Sequence, residues 1–197
     1  MRATAACCIG AMMLVTACQN QNKEPGAADT GTATPTGAAM SPEAGMETAS
    51  PVAEAPMAAQ DFVDTVSGSN LYETEAAKIA KDKSKSDKVR SFASEMIDDH
   101  GKAQSQLQSA VTAAGNGLRF NPKLDADHKS QLDVLRNAKA DFDNVYVTQQ
   151  RAAHEQALAL LRDYAESGDV KPLREFAQET SEVVAKHLQK AKGLPSS

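Results

Sequence analysis

From Ala58 onward, apolar residues return every three or four positions, the period of a helix with one buried face. A first helix over about 58–81 carries Phe62, Val66, Ser69, Glu73, Ala76 and Ala80 on one stripe. A second, over about 87–114, carries Val89, Phe92, Ala93, Met96, His100, Ala103, Leu107 and Val111. Ser86 is placed to cap its start, and Gly115-Asn116-Gly117 ends it with residues that tolerate left-handed backbone. After Asn121-Pro122 a shorter helix near 126–138 turns Leu132 and Leu135 inward. The fourth helix, about 141–166, bears Phe142, Val145, Tyr146, Ala153, Ala157, Leu160, Leu161 and Tyr164, and Ser167-Gly168-Asp169 breaks it. The last starts near Lys171, with Pro172 in a first-turn position where a missing N–H costs little. Its stripe is Leu173, Phe176, Thr180, Val183, His187 and Ala191. No run alternates β-branched residues as a strand would, so the chain reads as all-α.

Short turns between long helices make antiparallel neighbours, and the longer 115–140 segment makes a crossover. The expected assembly is an antiparallel four-helix bundle with one additional short crossover helix. Its two hairpins rhyme. Val89-Arg90-Ser91-Phe92-Ala93-Ser94-Glu95 leads down its helix to His100, and Leu173-Arg174-Glu175-Phe176-Ala177-Gln178-Glu179 leads to His187. Glu73 stands 19 positions before Phe92 and His154 stands 22 before Phe176, which makes those two counterparts in the repeat.

The first fifty-odd residues do not share this pattern. Arg2 followed by the apolar run Ala5–Val15 has the form of an export signal, too short to remain as a membrane span. Leu14-Val15-Thr16-Ala17-Cys18 resembles the bacterial lipoprotein processing box, so residues 1–17 read as the signal and Cys18 as the lipidated first residue. Residues 18–57, rich in Ala, Gly, Thr and Pro, then form a disordered tether, and 58–195 the folded domain. Gln19 in place of Asp points to the outer membrane of the envelope, with the domain facing the periplasm. All eight aromatic residues lie in the domain, and none of the three cysteines does, which excludes disulfides and Cys–His catalysis there. The net charge of -5 argues against nucleic acid. The basic run from Lys78 to Arg90 reads as a solvated helix end and loop.

Several of these residues form a known combination. Asp61-Phe62-Val63, Leu71-Tyr72-Glu73, Phe92-Ala93 with Met96-Ile97-Asp98-Asp99-His100, Phe142-Asp143 with Tyr146, His154, and Leu173 to Ala177 with His187 resemble the bacterial domain-of-unknown-function family 4142. The resemblance spans about 58–195. It implies a ferritin-like bundle, commonly exported or lipid-anchored, and carries no activity with it.

The chemistry left to weigh is one polar residue from each long helix: Glu73, His100, His154 and His187. Converging in a bundle core, they read first as a hydrogen-bond network that fixes helix register. The second reading is a mononuclear site for a divalent transition metal. Residues three before the histidines are Ile97, Arg151 and Val184, so the Glu-x-x-His of di-iron bundles is missing. Asp99 points about 100° from His100 on its helix and is expected outside the centre; His154 is expected at the edge of its stripe, and His128 exposed. The function expected first is that of a non-enzymatic, lipid-anchored binding module with an unidentified protein or envelope partner, acting in stress tolerance. The alternative is a metal-binding protein or metal-dependent oxidoreductase.

Overall fold

The computed structural model describes residues 57–115 and 117–195. The export signal, Cys18 and all of the tether except Met57 lie outside them. Five helices follow in order: α1 (Ala59–Lys83), α2 (Asp87–Ala114), α3 (Ala126–Asn137), α4 (Phe142–Ser167) and α5 (Lys171–Lys192). Among the described residues there is no strand. Local chemistry sets the boundaries. The Ser86 hydroxyl accepts a hydrogen bond from the Val89 amide at the start of α2, and Gly115 closes that helix at φ +64°. Asp125 caps α3 by accepting from the His128 amide at 2.7 Å.

Helices α1 and α2 form one antiparallel hairpin, α4 and α5 the other, and each hairpin packs on its counterpart through α1–α4 and α2–α5. The crossover runs alongside α1 from its first turn to its last. Gln60 exchanges hydrogen bonds with the Arg119 backbone at one end. At the other, Lys83 Nζ collects the last carbonyls of α3 from Leu135, Arg136 and Ala138, where a cation is favoured by the helix dipole. Between them, a Cβ at Gly68 would stand 2.8 Å from the Lys123 carbonyl oxygen, so only glycine lets the crossover lie this close. The result is the up-down-down-up order of ferritin-like bundles, with α3 laid across α1 and α4.

Two buried phases differ from the periodic reading. On α5, Val184 is buried (3% exposed) and Val183 faces solvent (38%). On α4 the inner face runs through Tyr146, Val147, Gln150, His154 and Leu161, so His154 lies in the middle of the buried stripe and not at its edge. The apolar core is split in two. One cluster gathers around Phe92, Met96, Tyr146 and Leu135, the other around Phe62, Leu107, Tyr164 and Leu173. Between them lies a buried polar layer of Asn70, Glu73, His100, Gln150, His154, Thr180 and His187. No described helix is long and apolar enough to cross a membrane.

Candidate metal centre

Helices α2, α4 and α5 bring His100, His154 and His187 together as a nearly equilateral triangle of rings, with centroids 5.7, 5.6 and 5.6 Å apart. One ring nitrogen from each lies within 4.8 Å of one from each of the others. All three side chains are buried.

The hydrogen bonds around the triangle assign the tautomers. His154 Nδ1 donates to the Gln150 carbonyl at 2.8 Å, a group that can only accept. His187 Nε2 donates to the Asp99 carboxylate at 3.1 Å. His100 Nδ1 faces Asn70 Oδ1 at 2.9 Å. The Asn70 amide is oriented by its own donation to Gln104, whose amide donates in turn to the Ser67 carbonyl. A backbone acceptor thus fixes the whole relay, and His100 Nδ1 carries the proton. Each imidazole therefore keeps a lone pair on its other nitrogen: His100 Nε2, His154 Nε2 and His187 Nδ1, all buried and without a partner. Burial holds His100 well below the ordinary imidazole range, and its two histidine neighbours add to the effect. Burial takes His154 down to about 4 even though its bond to Gln150 pulls the other way.

Three lone pairs in one place are poorly served by water, which has two protons to give. With each free nitrogen directed at the centre of this triangle, that point stands about 3.2 Å from each ring centroid, room for a metal–nitrogen bond of about 2.0–2.1 Å plus about 1.2 Å to the ring centre. The donor set fits an ion. Backing each ligand with a carboxylate, a backbone carbonyl or an amide oxygen is also how metal-binding histidines are held.

Glu73 stands beside the triangle and not within it. Its Oε1 is 3.7 Å from His154 Nδ1, the nitrogen that already carries a proton, and its Oε2 accepts from Gln150 Nε2 at 2.6 Å. Burial pushes this carboxyl up to about 8 against the pull of the Gln150 amide. Asp99, expected outside the centre, belongs to it: its side chain leaves the α2 stripe but crosses to α5 and orients His187. Burial alone would raise Asp99; hydrogen bonds from Lys102 and His187 overcome that and hold it low. His128 is not exposed as expected, but half-buried and stacked on Tyr72 at 4.7 Å, because α3 lies across α1. Asn70 and Gln150 were missed. They stand three before Glu73 and four before His154, the spacing that shares a helix face, and that spacing was the available signal.

Two cavities flank the triangle. The wider, about 510 Å³, opens between α1, α3 and α4 and ends on Glu73, His100 and His154. The narrower, about 160 Å³, lies between α2 and α5 and ends on His100 and His187. Were the three histidines to hold an ion, the adjoining cavity would leave room for a water or small molecule as a fourth ligand.

Residues 44–194 match the family model described as Domain of unknown function (DUF4142). No curated protein matches the chain. Among solved structures, the crystal structure of a DUF305 fragment from Deinococcus radiodurans superposes with a TM-score of 0.59 at 14% identity, covering 70% of this chain and 96% of that one. At that identity the likeness is one of fold.

Proposed function

Since the chain belongs to the family described as Domain of unknown function (DUF4142), whose name brings no activity, we propose from the site itself that the domain binds one transition-metal ion through His100, His154 and His187. The observation that carries this is the set of three orphaned lone pairs in a triangle of ion-binding size. Neutral imidazoles suit Zn, Cu, Fe or Ni, and the absence of Glu-x-x-His favours a single ion over a pair. Glu73, held protonated by burial in the metal-free protein, lies close enough to lose that proton to a bound cation and then offset part of its charge. A purely structural network remains the simpler use of the polar layer, but it leaves those three nitrogens unsatisfied.

The test is metal analysis of the untagged protein after titration with Zn²⁺ or Cu²⁺. One ion per chain is expected, lost in His100→Ala, His154→Ala and His187→Ala alike. A protein that takes up no stoichiometric metal overturns the proposal. The N-terminal residues support a location for this function: a lipid-anchored protein of the bacterial envelope, held by Cys18. Metabolic labelling with a fatty acid checks it, and a Cys18→Ser variant that still acquires lipid refutes it.

A further inference from the structure

The two cavities that reach the histidines are chemically unlike. The wide one is lined by three carboxylates, Glu73, Asp125 and Asp127, and among its described lining residues there is no lysine or arginine. Asp125 and Asp127 are exposed at its outer end, and Glu73 is buried at its inner end. The inner end is also lined by His100 and His154, whose buried Nε2 atoms have no hydrogen-bond partner. The narrow one includes Lys102, and its Asp99 is already committed, one oxygen to Lys102 and the other to His187. The wide one is also the roomier, about 510 Å³ against about 160 Å³.

We infer that the cavity between α1, α3 and α4 is the loading vestibule of the three-histidine site. A hydrated divalent cation is drawn in past Asp127, sheds water beside the Glu73 side chain at the inner end, and passes to the ring nitrogens of His100 and His154. His187, reached from the other side of the layer, closes the triangle last. This rests on the metal reading above and adds a direction to it. The vestibule takes cations and turns anions away, so an anionic chelator in solution competes for the ion outside the protein and not within it. Glu73 is a positioning residue here, held in place by the Gln150 amide.

The experiment is stopped-flow loading of the untagged protein with Co²⁺, followed by visible absorption. Asp127→Asn is the first variant, because Asp125 is occupied in capping α3. For a doubly charged ion passing about 10 Å from the lost carboxylate in water, Coulomb's law gives an on-rate about four-fold lower at low salt. The difference shrinks as salt screens it. Ala157→Leu narrows the vestibule and is expected to slow loading at least ten-fold. Val183→Phe, on the narrow side, leaves the rate unchanged. All three variants still reach one ion per chain. If Asp127→Asn and Ala157→Leu load at the parental rate, or Val183→Phe alone slows loading, the vestibule is refuted while the metal site stands. If the parent protein takes up no ion, both fall together. Should Ala157→Leu fail to fold, the exposed Asp127 substitution decides alone.

Discussion

Replacing His154 with leucine separates a site built for an ion from a layer built for stability. In the metal-free protein His154 Nε2 is buried without a partner. An unsatisfied buried polar atom costs about 1–3 kcal/mol, while the bond from Nδ1 to the Gln150 carbonyl returns about 0.5–1.5 kcal/mol. Leucine fills a similar volume, removes the orphan and adds apolar burial beside Phe92. The expected outcome at pH 7, with chelator present, is a gain of about 1 kcal/mol in urea unfolding. The gain grows in acid. His154 is held at about 4 in the folded protein, so below its unfolded value near 6.5 the unfolded chain binds the extra proton and stability falls. At pH 5 that is about 2 kcal/mol lost by the parent and not by the leucine variant. With metal at a hundred times its dissociation constant the order reverses, because the parent gains about 2.7 kcal/mol and the variant nothing. A variant more than about 1 kcal/mol less stable than the metal-free parent at pH 7, with both indifferent to metal, would refute the reasoning. The nitrogen would then have been satisfied all along.

Three other perturbations bear on the same structure. Glu73, raised to about 8, loses stability for the metal-free fold as pH climbs from its unfolded value, because the unfolded chain ionises first. Glu73→Gln should therefore stabilise the metal-free protein at pH 7 by roughly 3 kcal/mol and have little effect at pH 4, read from urea melts at the two pH values. Asp99→Asn removes the carboxylate behind His187 and should weaken metal binding by about 10–100-fold at unchanged stoichiometry, measured by competition with a chelator of known affinity. Gly68→Ala forces a methyl to within 2.8 Å of the Lys123 carbonyl and should destabilise by about 1–3 kcal/mol, with hydrogen exchange rising first in α3.

The helices were legible because each stripe repeats over several turns, and α2 begins and ends where its cap and glycine place it. His100 and His187 were legible for the same reason. The phase of α4 was not. Ala153 and Ala157 sit as readily at a boundary as in a core, so a stripe drawn through them misplaces His154 by one position. The adjacent valines 183 and 184 left α5 open in the same way. Asp99 was out of reach for a different reason: its role depends on how α2 packs against α5, which no single helix encodes. Asn70 and Gln150 are neutral amides, and an amide on a buried face has no signature until its partner is known. The orphaned nitrogens, which carry the functional reading, are a property of the hydrogen-bond pattern and not of composition.

The polar layer has one property that the ligands alone do not convey. Its three histidines come from α2, α4 and α5, and the groups that orient or face them come from α1, α2 and α4. Every long helix has a stake in whether the centre is filled, and both hairpins must be docked before it exists. Occupancy is thus information about the whole bundle. On the proposed metal reading, loss of the ion is expected to loosen all four long helices together and not one hairpin alone.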